Sequence, residues 1–172
     1  MGLKRNLLLR QLLWQLSVVV VFAAPALGDW PQFRGLNSSG IAPGASPPVE
    51  FGPGRNELWK VPMAAGHSSP IVAGDVVFLT TWDKKNRKLA VVCIARRSGK
   101  IRWQADVPAT KFEKGHASFN PASSTPASDG ERVVAYFGSF GLICFDMEGK
   151  KLWERRMPLT KTFGGNATSP AI

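Results

Sequence analysis

Residues 123–153 read SSTPASDGERVVAYFGSFGLICFDMEGKKLW, and residues 68–103 read SSPIVAGDVVFLTTWDKKNRKLAVVCIARRSGKIRW. The two stretches share an order of parts. Ser-Ser-(Thr)-Pro comes first, then Asp beside Gly, then an apolar run with Phe. A second apolar run carries a Cys, and Gly-Lys-x-x-Trp closes the unit. Cys93 matches Cys144, Gly99-Lys100 matches Gly149-Lys150, and Trp103 matches Trp153. This is an internal repeat, and a fixed order of short apolar runs and turns is the mark of a repeat architecture.

The spacing sets the size of the unit. Trp59, Trp103 and Trp153 are separated by 44 and 50 residues, and Pro70, Pro126 and Pro170 by 56 and 44. Four short strands with their turns need roughly 40–50 residues, the size of a propeller blade. The first unit divides into strands at 69–73, 76–81, 88–95 and 101–107, the second at 124–128, 132–138, 142–146 and 151–156. β-Branched and aromatic residues fill the runs, while Gly and Asp fill the turns. No stretch from 29 to 172 holds a helical period over 11 or more residues. The expected fold is all-β: a partial β-propeller of about two four-stranded antiparallel blades plus fragments of neighbouring blades.

The unit Ser-Ser-Pro-Ile-Val-x-Gly-Asp … Gly-Lys-x-x-Trp resembles the pyrroloquinoline-quinone-like β-propeller repeat. Asp29-Trp-Pro-Gln-Phe-Arg-Gly35 resembles the amino-terminal motif of an exported bacterial branch of that family. The resemblance covers nearly everything after residue 28. It implies a structural blade motif of Trp59, Pro70, Gly99, Trp103, Pro126, Asp146, Gly149, Trp153 and Pro170. In it the last-turn glycine and the outer-strand Trp dock neighbouring blades. Asp146-Met-Glu-Gly-Lys150 is similar to the family's Asp-x-x-Gly-Lys turn, whereas the first unit has Ala95 or Arg96 in the Asp place. The family contains both quinone enzymes and non-catalytic scaffolds, so the fold alone does not choose between them.

Residues 1–28 read as a cleavable secretory signal. Lys4, Arg5 and Arg10 precede a mostly apolar run at 12–22, and Ala26-Leu27-Gly28 offers small residues at a cleavage site. The alternative is a retained anchor, but the apolar run is short against the ~20 residues of a spanning helix. The implied location is periplasmic or extracellular, with membrane contact only transiently through the signal. Without the leader the chain holds 19 Lys plus Arg against 12 Asp plus Glu. That balance suits envelope proteins or anionic polymers as partners. The basic residues are also spread over turns and strand faces, with local clusters at 84–88 and 150–156. No nucleic-acid motif is present.

An initial segment and loop occupy 29–56. Trp30 and Phe33 there need somewhere to be buried. In the resembling family this segment often adds to the last blade and closes the ring, so it should be poorly placed without one. Residues 57–172 read as an incomplete propeller. Residues 57–61 look like an outer strand, the blade units span about 66–107 and 123–157, and a third unit starts at 166–172. Closed propellers have about four to eight blades, and stacked repeats bury their faces only against neighbours. The expectation is therefore the front part of a longer protein or a truncated reading frame.

Cys93 and Cys144 sit at matching places, which favours buried free thiols over a disulfide. Two Cys without clustered His make no zinc site, and no metal or catalytic residue is assigned. His67, His116 and Asn166 each precede the Ser-Pro start of a unit. They are the candidate channel-facing residues, since a blade's first strand lies nearest the axis; the alternative is that they only order the loops between blades. The Gly-Lys pairs lack Walker spacing and are not phosphate loops.

Two functions stay open. One is a non-catalytic exported scaffold for proteins or envelope polymers, similar to the outer-membrane assembly scaffold propeller, with no cofactor. The other is the front portion of a quinoprotein oxidoreductase with active-site residues beyond 172, using pyrroloquinoline quinone with calcium. A sensor propeller is a weaker third.

Overall fold

The computed structural model describes residues 29–159 and 162–172; the leader of the sequence reading lies outside them. Eight strands form two sheets: β1 (Ile71–Ala73), β2 (Val76–Asp83), β3 (Lys88–Ala95) and β4 (Ile101–Val107), then β5 (Ala127–Ser128), β6 (Arg132–Phe137), β7 (Gly141–Asp146) and β8 (Lys151–Arg156). Each sheet is a four-stranded antiparallel meander, β1-β2-β3-β4 and β5-β6-β7-β8. One 3-10 turn, Leu36–Ser38, is the helical element among the described residues. The all-β reading with two blades holds.

The registers show that the sheets are copies of one unit. Phe78, Cys93 and Trp103 lie side by side across β2, β3 and β4. Val134, Cys144 and Trp153 lie side by side across β6, β7 and β8. Both third strands shift register just after their cysteine, at Cys93/Ile94 and Cys144/Phe145. A bulge at the same place in both copies gives both outer edges the same local twist.

Side chains alternate faces along a strand, so each blade has two distinct apolar faces. Ile71, Val76, Phe78, Leu89, Val91 and Cys93 of the first blade meet Val133, Ala135, Phe137, Ile143 and Phe145 of the second in one buried cluster. The first blade's other face, Val72, Val77, Val92 and Ile94, is covered by Trp59. The inner strands lie together, β1 against β5, and the sheets stack face to face as neighbouring blades.

Two seams hold the blades. At the outer seam a Trp of one unit lies on the last-turn glycine of the next. Trp103 Nε1 donates to Met147 O at 2.8 Å, and a Cβ on Gly149 would stand 2.7 Å from the indole. Trp59 repeats this on the first blade, donating to Arg96 O at 2.8 Å over Gly99. Trp103 also fills the space between Phe78 and Phe145, at 5.6 and 5.7 Å between ring centroids. Trp153, the third of the series, is 42% exposed.

The inner seam is made by the hydroxyl residue before each unit's proline. Ser69 N donates to Thr125 Oγ1 at 3.0 Å, and Thr125 N donates to Ser169 Oγ at 3.0 Å. Thr80 Oγ1, fully buried, adds bonds to Ala122 O and Ser124 O. Proline has no N–H to give, so it starts a strand without leaving a donor unmet. This corrects the expected strands at 69–73 and 124–128: β1 and β5 begin after Pro70 and Pro126, because the residues before them bond to the next unit.

Two further expectations change. Residues 57–61 form no strand ladder and are held instead by the Trp59 side chain. The initial segment is not left waiting for a closing blade. Trp30 exchanges both backbone bonds with Val72 at 2.9 Å, Asp29 Oδ1 accepts from Gly74 N, and Pro31 O accepts from Ser128 N. It docks on the free side of β1, where an inner strand has an unpaired edge. Trp30 packs on Gly35, whereas Phe33 stays 48% exposed.

Candidate functional site

The antiparallel registers fix which loops share an end. Val107, the end of β4, pairs with Leu89 at the start of β3, beside the β2–β3 turn. The 108–122 connection therefore leaves the first blade at the end that carries the β2–β3 and β6–β7 turns. His67, His116 and Asn166 all lie in segments between units, so this end collects them.

Their surroundings differ. His67 is exposed, and its backbone N–H donates to Ala122 O at 2.9 Å. His116 is exposed; Nδ1 lies 2.9 Å from Ser118 Oγ, and its ring is 6.5 Å from that of Phe163. Asn166 is half-buried. Its Nδ2 donates to the Tyr136 hydroxyl at 2.7 Å, and its Oδ1 accepts from Thr168 N at 3.1 Å. No hydrogen bond joins the three residues to one another among the described residues.

The connection lies against both blades. Phe112 packs on Trp82 of β2 at 4.6 Å between centroids, with the Arg87 guanidinium 4.6 Å above the Phe112 ring. The next residue, Glu113, turns to the second blade. It is 7% exposed, and its N–H donates to Ser139 Oγ at 3.1 Å. Its carboxylate lies across Gly138, where any Cβ would collide with both oxygens. Among the described residues neither oxygen has a hydrogen-bond partner. Burial pushes this carboxyl up from the usual range; the backbone N–H of Asn166 works weakly the other way, short of hydrogen-bond geometry. The sequence reading passed over Glu113. Between Lys111 and Lys114 it looks like part of a solvated charged loop, and nothing in the sequence marks it otherwise.

The three turn aspartates are all engaged by other groups of their own blade. Asp146 Oδ1 accepts from Glu148 N and Lys150 N at 3.2 and 2.8 Å. In the first blade Ala95 takes its place: Ala95 N bonds Lys100 O, and Ser98 Oγ accepts from Lys100 N. Asp129 Oδ1 accepts from Glu131 N and Arg132 N at 3.0 and 2.8 Å. Asp75 pairs with Arg102 on the surface.

A family profile described as outer membrane protein assembly factor BamB matches residues 55–165, which contain both sheets, the outer seam and the Ser69–Thr125 bond of the inner seam. The chain belongs to this family of PQQ-like propeller repeats. No curated protein matches the chain. In this BamB-family chain the matched segment begins just before Trp59 and closes just before Asn166. Among the described residues no helix is long and apolar enough to cross a membrane.

Pyrroloquinoline quinone with calcium, implied by some members of the repeat family, does not fit the described residues. Asp75, Asp129 and Asp146 stand on separate turns with their oxygens bonded locally, and no three His, Cys, Asp or Glu side chains gather into a metal-sized group. The cysteines cannot supply a vicinal pair. Cys93 faces the second blade, while Cys144 is on the second blade's far face, so a whole sheet separates them. Both are free and fully buried. Burial pushes the Cys93 thiol up to about 11 and raises that of Cys144. Native protein at about pH 8 is therefore expected to resist iodoacetamide, with both thiols labelling once denaturant unfolds it, as read by intact mass. Rapid native labelling of either thiol would contradict the buried placement.

Proposed function

We propose that this chain is part of an exported, non-catalytic propeller that serves as a scaffold for proteins or anionic envelope polymers. The family to which it belongs is described by an assembly factor of the outer membrane, and this supports the reading most directly. The polar groups of the two blades add to it. Thr80, Ser69, Thr125 and Asp146 are bound up in seams and turns, so the surface proposed for a partner is the end holding the connections between units. His67 and His116 are exposed there, and the basic balance of the chain suits an acidic partner.

Titration with pyrroloquinoline quinone and Ca²⁺, followed by quinone absorbance after gel filtration, tests the reading. The expected outcome is no retained cofactor. Stoichiometric uptake would replace the scaffold with an oxidoreductase. A second arm measures binding to lipopolysaccharide. Affinity should fall steeply with added salt if basic residues make the contact, and salt-insensitive binding would remove the polymer from the proposal.

A further inference from the structure

Glu113 is a buried carboxylic acid that neither seam uses. It sits where the 108–122 connection rests on the β6–β7 turn, and among the described residues its two oxygens complete no hydrogen bond, the Asn166 N–H near them falling short of hydrogen-bond geometry. Among the described residues, the elements packed on it offer no countercharge. The β6–β7 turn, Gly-Ser-Phe-Gly at 138–141, has no ionisable side chain, and neither does 162–168, Thr-Phe-Gly-Gly-Asn-Ala-Thr. On its own connection Lys111, Lys114 and His116 are exposed. Arg156 turns instead to the Phe140 ring at 4.1 Å and to Pro108 O at 3.2 Å. Arg87 lies over Phe112.

An ionised carboxylate cannot stay there cheaply. Buried charge without a partner is strongly disfavoured, and such a group neutralises or moves to water. Moving means lifting the connection, because the carboxylate is pressed on Gly138 and the Glu113 N–H is tied to Ser139.

We propose that Glu113 is a pH-sensitive latch on the inter-blade connection. As the neutral acid it lets 108–122 lie on the β6–β7 turn; as the carboxylate it drives that segment off. The connection carries His116, and Asn166 borders it, so the latch governs how the end bearing these residues is presented. The sign follows from the raised folded-state value. The closed form binds the proton better than the open one, so closure is full below the ordinary carboxylate range. It weakens as pH rises through the folded value.

Hydrogen–deuterium exchange of the full chain, corrected for the intrinsic pH dependence of exchange, reads the closure directly. Between about pH 3.5 and about pH 8, amides of 111–120 should lose at least about threefold in protection as the carboxyl ionises. Glu113→Gln, neutral at every pH, should hold that protection constant, whereas Ser139→Ala should lower it at both ends. His116 is present in both proteins. An unchanged pH dependence in Glu113→Gln would assign the effect to another group and overturn the latch, as would a flat wild-type profile. If Glu113→Gln fails to fold, ¹³C NMR of the wild-type side-chain carboxyls serves instead. A Glu113 resonance still protonated when the other glutamates have ionised supports the latch; one titrating with them sinks it.

Discussion

Replacing Trp103 by Ala is expected to destabilise the protein by about 3–5 kcal/mol, the cost of deleting a large aromatic from a packed site. The indole touches Phe78 on its own blade and Phe145 on the next, at 5.6 and 5.7 Å between centroids. Its Nε1 donates to Met147 O at 2.8 Å, and its face covers Gly149. Truncation opens a cavity between two sheets and leaves a carbonyl without its donor. Trp153→Ala is the matched control. It holds the same place in the repeat but is 42% exposed, so its truncation should cost about 1 kcal/mol or less. Urea denaturation midpoints at equal m-values give the comparison. Equal losses from the two residues would show that the outer seam is not where the blades are joined.

Gly149→Ala attacks the same seam from the other side, with an expected loss of about 2–4 kcal/mol. Two effects add. The backbone at Gly149 has φ +88, which costs a residue with a Cβ about 1–2 kcal/mol. The new methyl would also stand 2.7 Å from the Trp103 ring, so the indole must move and drop its bond to Met147 O. Gly130 separates the terms. Its φ is +92, but nothing lies within 4 Å of a Cβ placed there. Gly130→Ala should therefore show the backbone term alone, about 1–2 kcal/mol. If the two substitutions cost the same, the close approach of indole to glycine carries no energy of its own.

These substitutions bear on what repeat architecture asks of a sequence. One blade cannot bury both its faces, so stability resides in the interfaces between units. In this chain the interface between the two blades is closed at two radii. Indole on glycine closes the outer one, from Trp103 to Gly149, and hydroxyl to backbone N–H closes the inner one, from Ser69 to Thr125; the same inner bond recurs from Thr125 to Ser169. The motif positions Ser-(Thr)-Pro and Gly-Lys-x-x-Trp thus carry chemistry directed at neighbours, which is why they recur while the loops between them vary.

The order of strands, their antiparallel pairing and several of their bounds were legible in the residues. β3, β4 and β8 run from Lys88 to Ala95, Ile101 to Val107 and Lys151 to Arg156, as the alternation of β-branched runs and Gly-containing turns dictates, because both signals are local. The burial of Cys93 and Cys144 followed from the same repeat. What the three-dimensional arrangement alone decided are the features that depend on who the neighbour is. The start of β1 and β5 was set by hydroxyl acceptors 56 and 44 residues away. The docking of Trp30 on Val72 was set by the free side of β1. Glu113 was buried by the turn that the connection happens to cross. Local pattern specifies a strand because its cause lies within a few residues. Burial of a single charged side chain is decided by segments brought together only when the sheets stack, and no periodicity in the chain records that.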